Sequence, residues 1–471
     1  MPLSDPCRRK LQSIVGPDHF LKEEEDRACY AYDATAMFHM PDAVVFPKNA
    51  RQVSEILILA NQEGFCVTPR GHGSGMTGGS LPVEGGVALV MTRMSRILEI
   101  DTDNLTAHVE TGVVTGRLHR AAEKKGLFYP PDPASSDFST IGGNLGECAG
   151  GPRAVKYGVT RDYVLGLEVV LPTGEIIHTG VKTAKGVTGY DLARLFVGSE
   201  GTLGVITRAV LKLLPLPETI RTMSVVFDAM EDAAETVSEV IRKGIIPRAI
   251  EFMDNASIRC AEAHIGAGLP TGAGAMLIIE TDGKKDEAEN AVRELERLCL
   301  AGGRASSVRV AETPAEAEKL WKARKAVSPA LFNYGSHKIN EDIVVPRSRI
   351  PDMIRKINEL REKTGLFMAS FGHAGDGNIH FNIMLDKNNR DEMKKAEKTI
   401  EIIFDHTLAL GGTLSGEHGV GVTKASHLPR EIGATERALM RNIKKLFDPR
   451  NVLNPSKIFQ PEGKEPGGGS D

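Results

Sequence analysis

The chain has 471 residues, 41% hydrophobic and 25% charged, with a formal net charge of −4, a soluble globular composition with apolar surface enough for two or three domains. Neither that charge balance nor any run of Lys and Arg interleaved with aromatics supports nucleic-acid binding, so small-molecule work is favoured. The six cysteines, Cys7, Cys29, Cys66, Cys148, Cys260 and Cys299, contain no C-x-x-C pair, which argues against an iron-sulfur cluster, a zinc knuckle or a disulfide framework and for free thiols in a reducing compartment.

Arg8-Arg9 invites a twin-arginine reading, yet no apolar stretch follows and Glu23-Glu24-Glu25-Asp26 arrives instead. No run approaches the roughly 18 apolar residues of a membrane span. A cytoplasmic location is expected, with peripheral docking at a membrane through a partner left open. A short helical preface begins at 11–15. The proline-fenced run PDAVVFP (41–47) reads as a strand, and 50–63 as a helix, because Val53, Ile56, Leu57 and Ala60 recur at helical spacing. A second short strand, 66–69, ends in Pro69 and feeds the loop Arg70-Gly71-His72-Gly73-Ser74-Gly75, which continues to Gly78 and Gly79. Glycines after a strand let backbone N–H groups converge on a phosphate, since only glycine accepts the positive φ angles and close approach required. The loop fits neither G-x-G-x-x-G nor G-x-x-x-x-G-K, so nicotinamide and ATP readings lose ground.

Strands at 87–91 and 98–109 and a helix at 115–126 lead to the rigid extended segment YPPDP (129–133), with Pro131 and Asp132. STIGGN (139–144), with Thr140, Gly142, Gly143 and Asn144, and AGG (149–151), with Gly150 and Gly151 just after Cys148, form a second glycine cluster. One long cofactor could be held from both sides by the two clusters. Tyr157-Gly158, a strand at 165–171 with its Pro-Thr-Gly turn, and GSEGTLGVI (198–206), with Glu200, Gly201, Val205 and Ile206, complete this half.

Pro215-Leu216-Pro217 marks a boundary. Helices at 229–243 and 286–301 then alternate with strands at 275–280 and 308–310, in the manner of ferredoxin-like domains. A helix at 315–334 carries Arg324, a strand at 338–345 starts with Lys338, and 350–364 is helical. In FGHAGDGNIHFNI (371–383), Asp376-Gly377 is a strong hairpin signal, which puts His373 at the end of one strand and His380 on the returning one. His380 and Asn382 share a face by the period of two. Two imidazoles across a hairpin suit a borderline divalent metal and leave room for a carboxylate and for substrate. Glu417, in SGEHGVG (415–421), is the candidate third ligand. Its neighbour His418 diverges in extended backbone and is free to accept a proton. The last long helix here spans 392–410. No internal repeat is evident beyond the glycine clusters, and 462–471, rich in glycine and charge, is expected to be disordered.

In this order PRGHGSG, PPDP, STIGGN, AGG, YGVTRD, GSEGTLGVIT, FGHAGDGNIH, SGEHGVG and DPRNVLNPSK (448–457) resemble the FAD-linked 2-hydroxy-acid dehydrogenases. These comprise the flavin subunit of glycolate oxidase, the D-lactate dehydrogenases and the D-2-hydroxyglutarate dehydrogenases, which share the vanillyl-alcohol-oxidase type of flavin fold. The likeness runs over 41–459, and motif order makes it specific. It implies an α+β chain in which a two-lobed FAD-binding domain of the vanillyl-alcohol-oxidase type (1–217) is joined by a ferredoxin-like α+β cap domain for substrate and metal (218–421). A segment at 422–461 would return to the FAD domain ahead of the 462–471 tail.

The resemblance further implies FAD held by the glycine-cluster residues named above, Pro69 through Ile206, together with Asn454 of the NPSK segment. His72 stands where relatives usually carry a small residue. Members with covalent flavin attach it through a histidine after paired glycines, a pattern absent here, so the FAD is expected to be noncovalent. His373, His380 and Glu417 are implied as ligands of one divalent ion (Zn, Mn or Fe), His418 as the base, Arg324 and Lys338 as carboxylate clamps, and Asn382 as a substrate-orienting donor. The implied reaction is oxidation of a small D-2-hydroxy acid, D-lactate or glycolate, to the 2-oxo acid. D-2-hydroxyglutarate as substrate, or a free-standing flavin oxidase of another alcohol, are the alternatives. The chain lacks clustered cysteines and a nicotinamide fingerprint, so its reduced flavin is expected to be reoxidised by a partner protein; the resemblance implies an electron-transferring flavoprotein, an iron-sulfur subunit or a quinone-linked chain, and the sequence does not choose among them.

Overall fold

The computed structural model describes residues 3–35 and 37–460; the tail expected to be disordered, 462–471, lies outside them. The chain forms two compact units. Of the described residues, one takes those up to Ala149, Val159–Leu216 and those from Glu417 to Gln460; the other takes Gly150–Gly158 and Pro217–Gly416.

In the first unit β1 (Ala43–Val45) leads into α1 (Ala50–Glu63), followed by β2 (Val67–Arg70) and β3 (Val87–Val90). Helix α1 starts where the Asn49 side chain accepts the Gln52 N–H and stops at Gly64, whose left-handed φ of 77° costs glycine nothing. Its buried face, Val53, Ile56, Leu57 and Ala60, packs on the parallel order β1-β3-β2. β1 and β3 are wholly apolar, as parallel strands covered on both faces tend to be, whereas β2 ends in Arg70 where the chain enters the glycine loop. A second, antiparallel sheet has the order β4-β5-β8-β6-β7, built from β4 (Ile97–Asp101), β5 (Thr106–Glu110), β6 (Val164–Val170), β7 (Ile176–Gly180) and β8 (Val205–Lys212). The half-exposed edge strand β7 was not anticipated from sequence. Between β5 and β6 the glycine-rich stretch forms α2 (Ile141–Glu147). Helix propensity argues against three glycines in seven residues. Packing overrides it: Ile141 and Leu145 are fully buried, Thr140 caps the Gly143 N–H at 3.2 Å, and a Cβ on Gly142 would sit 2.9 Å from Thr111 Cβ.

The second unit is organised on a seven-stranded antiparallel sheet. Its first half runs β9 (Thr219–Phe227), α3 (Met230–Arg242), β10 (Ala249–Asp254), β11 (Ala275–Gly283), α4 (Lys285–Leu300) and β12 (Ala305–Val310), with spatial order β12-β9-β11-β10. That is the ferredoxin-like path. Helix α5 (Pro314–Ala330) then leads to β13 (His337–Val344), α6 (Ile350–Thr364), β14 (Phe367–His373), β15 (Asn378–Leu385) and α7 (Arg390–Ala409), with order β14-β15-β13. The second half thus repeats the β-α-β-β-α path without its closing strand, and the two halves join edge to edge through β10 and β14. This duplication corrects the expectation of no internal repeat: it is a repeat of topology, which needs only matching apolar faces. Val237, Leu295, Ile354 and Ile403, one from each of the four helices, share one core.

The described chain closes in the first unit with a helix at Ala434–Phe447, also unanticipated, after which Leu453 bridges to Val67 beside β2. No helix among the described residues is long and apolar enough to cross a membrane.

Candidate active site

In the first unit the loop after β2 and the N-terminal turns of α2 form facing walls. A Cβ on Gly71 would lie 2.2 Å from Thr140 Oγ1, one on Gly73 would lie 2.1 Å from the Arg70 guanidinium, and His72 Nδ1 donates to the Phe138 carbonyl at 2.7 Å. Only glycine lets these walls close so tightly with main chain facing the gap. The cleft they enclose is lined by 69–75, Thr140, Gly142, Gly143, Asn144, Glu200, Gly201, Val205 and Ile206, and also by Glu417 and His418. A narrow trough walled by glycine backbone from both clusters fits a long phosphate-bearing cofactor.

Glu200, held at a φ of 51°, both lines this cleft and anchors the segment that carries His418. Its two carboxylate oxygens accept the Val420 and Gly421 N–H groups, each at 2.7 Å. Burial pushes its carboxyl up from the usual range, against those two bonds. Thr77 Oγ1 donates to the His418 carbonyl at 3.0 Å, and its own carbonyl accepts the Val422 N–H at 2.7 Å. The His418 backbone is thereby fixed from both sides.

In the second unit the β14–β15 hairpin turns through Gly377, which has a φ of 92° and where a Cβ would lie 2.0 Å from the Val345 carbonyl oxygen, so no side chain fits. The hairpin sets His373 Nε2 3.4 Å from His380 Nε2, both rings buried. Glu251, the register partner of His373 on β10, brings Oε1 to 2.5 Å from His373 Nδ1. A carboxylate can only accept, so Nδ1 carries the proton and the Nε2 lone pair faces His380. Two imidazoles converging through Nε2, one oriented by a carboxylate, fit a borderline divalent cation and the usual partner behind it. Glu251 Oε2 lies 2.7 Å from an Arg324 nitrogen, and that guanidinium stacks 4.6 Å over the Phe371 ring. Asn382, fully buried on the His380 face, accepts from Asn340 at 2.7 Å. Lys338 donates to Ser328 Oγ at 2.9 Å, and burial lowers its pKa. Gly416 ends this unit, its N–H donating to the Asp342 carbonyl at 2.9 Å, and Glu417 follows by one peptide bond as the first residue of the next stretch of the first unit.

Several of the expected cofactor residues also have partners within the chain. Gly150, Gly151, Tyr157 and Gly158 belong to the second unit, where the Tyr157 hydroxyl donates to Asp282 at 2.7 Å. The Arg70 guanidinium is engaged by the carbonyls of Tyr30 and Tyr32, at 2.7 and 3.1 Å. Asn454 donates to the carbonyls of Gly79 and Glu200, at 3.0 and 2.7 Å, tying the closing segment to the cleft wall. Cys148 takes a φ of 56° to terminate α2. In the Gly78 and Pro131–Asp132 regions the lining comes instead from Gly79 and Ser80 and from Pro133, Ala134 and Ser135. Sequence reasoning missed Thr111 in the cleft and, above all, Glu251. The signal for Glu251 was a lone carboxylate inside the apolar run AIEFM, a placement that a buried strand tolerates only with partners.

The described geometry agrees with likenesses across the whole chain. A family model for FAD linked oxidases, C-terminal domain, matches residues 216–458, and one for an FAD binding domain matches 41–180. The chain is 46% identical to glycolate oxidase subunit GlcD of Bacillus subtilis over 98% of both chains, and 35% identical to a D-lactate dehydrogenase of Anaerostipes hadrus over 94% of this chain and 95% of that one. Among solved structures, p-cresol methylhydroxylase with substrate bound matches with a TM-score of 0.81 and 18% identity over 97% of both chains. An alkyldihydroxyacetonephosphate synthase matches at 0.75 and 20%, covering 97% of this chain and 86% of that one. These last two speak to the fold alone.

Proposed function

The chain belongs to the FAD-linked oxidases and has their vanillyl-alcohol-oxidase type of fold, and from that premise we propose that it oxidises a small D-2-hydroxy acid, D-lactate or glycolate, to the 2-oxo acid and passes the electrons to a partner protein. The observation that carries this reading is the pair of imidazoles meeting through Nε2 at 3.4 Å with one tautomer fixed by Glu251. Phenol oxidation has no need of such a pair. A hydroxy acid does, because its hydroxyl and carboxylate oxygens together make a chelating group for a cation. The names of the two curated relatives, acting on glycolate and D-lactate, point the same way.

In this reading the cleft of the first unit holds FAD noncovalently, and His373 and His380, with Glu417 as third ligand, hold one divalent ion. The FAD supplies a hydride acceptor and the ion lowers the pKa of the substrate hydroxyl. His418 takes the hydroxyl proton on its imidazole, from a backbone pinned by Thr77 and Glu200. Arg324 grips the substrate carboxylate, its planar fork being oriented by Glu251 and Phe371. Lys338 adds a point charge, and Asn382 orients the substrate on the His380 face.

The test is anaerobic mixing of the purified yellow protein with a panel of glycolate and the D and L forms of lactate and 2-hydroxyglutarate. Bleaching of the flavin by glycolate or D-lactate ahead of the rest is the expected outcome. Bleaching by D-2-hydroxyglutarate first would move the substrate to the larger diacid, and no bleaching by any of them overturns the reading.

A further inference from the structure

We infer that Glu251 is a positioning residue that holds, with a single carboxylate, both the metal-binding imidazole of His373 and the substrate-binding guanidinium of Arg324. The inference rests on the roles just proposed for those two residues. Its basis is geometric. Glu251 is 1% exposed, and its two oxygens point to different functional groups, Oε1 to His373 Nδ1 at 2.5 Å and Oε2 to the Arg324 fork at 2.7 Å. The three residues come from three separate parts of the second unit. Glu251 lies on β10 of the first half-sheet, His373 ends β14 of the second, and Arg324 sits on the helix that connects them. Glu251 and His373 are opposed at the seam between the duplicated halves, where only three residue pairs are in register. A carboxylate in that position fixes the imidazole tautomer, leaving Nε2 to bind, and aims the guanidinium with the same rigid group. Metal affinity and substrate affinity therefore share one determinant.

The alternative is a buried ion pair that merely stabilises the seam, and the count of acceptors separates the two. Glu251→Gln keeps the shape but removes the charge paired with Arg324 and leaves one oxygen where the imidazole and the guanidinium had one each, because the amide nitrogen can neither accept from His373 nor attract a cation. At least one arm must then fail. In one experiment Mn²⁺ or Zn²⁺ is titrated into protein verified metal-free by elemental analysis, and KM for the hydroxy acid is measured on the metal-saturated protein. E251Q is expected to lose tenfold or more in metal affinity or in KM. Glu251→Ala, which offers no acceptor, is expected to lose on both, by about 10–100-fold for the metal, the scale of a lost partner behind a ligating histidine. FAD content and melting temperature report on folding in parallel, and if E251A does not accumulate with FAD, E251Q decides alone. If E251Q binds the ion and the acid as tightly as wild type while only its melting temperature falls, Glu251 is structural and the inference is overturned. If wild type itself binds no divalent ion, or its flavin is not bleached by any acid, the proposed function fails, and this inference with it.

Discussion

At the residue scale the proposed site divides into groups that hold an ion and a group that moves a proton, and substitutions should separate them. His373→Ala removes one of two converging imidazole nitrogens, so the purified variant should contain FAD but little divalent metal and should match wild type stripped by a chelator. His418→Ala leaves both imidazoles in place. It should retain metal and lose flavin reduction by a factor on the order of 10² or more, the scale of lost general-base catalysis. Elemental analysis alongside single-turnover reduction distinguishes these phenotypes. Native-rate reduction by protein proven metal-free would remove the ion from the mechanism. Gly71 tests the other site. Its missing Cβ would sit 2.2 Å from Thr140 Oγ1, the oxygen that caps the Gly143 N–H. Gly71→Ala must displace that cap, costing about 1 kcal/mol, and reshape the wall on the cleft side. A lower FAD content after gel filtration is expected, and an unchanged flavin-to-protein ratio would show that the wall tolerates the shift.

At the element scale, what could be read from sequence depended on whether a segment's structure is decided locally. The bounds 50–63 and 350–364 agree with the helices Ala50–Glu63 and Ile350–Thr364, because a periodic buried face is closed at both by a left-handed glycine, Gly64 and Gly365. The His373–His380 hairpin was legible for a similar reason, a turn that only Asp376-Gly377 chemistry supports. Helix α2 was not, since it rests on tertiary packing that the sequence does not display: Ile141 and Leu145 are fully buried and Gly142 lies against Thr111. The helix Ala434–Phe447 buries none of its residues, so its periodic Leu439, Ile443 and Leu446 report no core face. Tyr157, expected as a cofactor contact, takes part in a polar knot at the end of β11. Asp282 there accepts from Tyr157, Lys156 and Arg248, the last two at 2.5 Å. Burial alone would raise the Asp282 pKa, but Lys156, Arg248 and Tyr157 outweigh it and hold the carboxyl below its usual range. The folded-state pKa lies under the unfolded value of about 3.9, so the ionised form favours the fold. This contribution is complete above about pH 4 and is lost as pH falls through the lowered folded value. Asp282→Asn should destabilise the fold at neutral pH by about 1–3 kcal/mol, because the buried carboxylate that accepts from three donors is lost while Arg248 keeps its second partner, Glu280, at 2.9 Å. It should also flatten the acid limb of the stability profile. Equal denaturant midpoints for variant and wild type at pH 7 would remove the knot from the account of what holds this unit.

At the scale of the whole molecule the question is where two electrons go after each turnover. A flavin that has taken a hydride must be reoxidised before it can act again, and the chain's cysteines give no sign of a second redox group for the purpose. Its six cysteines are free, and Cys7, Cys260 and Cys299 are buried apart from one another in the hydrophobic cores. Their spacing supports no iron-sulfur cluster, and neither glycine cluster has the nicotinamide fingerprint. In the proposed reading the acceptor is a separate protein, and a protein that delivers electrons onward has reason to shield its reduced flavin from oxygen. Contacts between electron-transfer proteins are small and screened by salt, so such a complex readily falls apart on purification. The isolated chain should accordingly turn over its hydroxy acid slowly in air and fast with an artificial dye. Adding the physiological acceptor should restore the dye-supported rate at low ionic strength and lose it as salt rises past the range where the Debye length falls below about 10 Å. Steady-state rates in air and with dye, with peroxide measured in both, decide the matter. Should oxygen alone sustain the full dye-supported rate with matching peroxide release, no partner is needed, and the chain is a self-sufficient oxidase whose cleft admits oxygen to the reduced flavin.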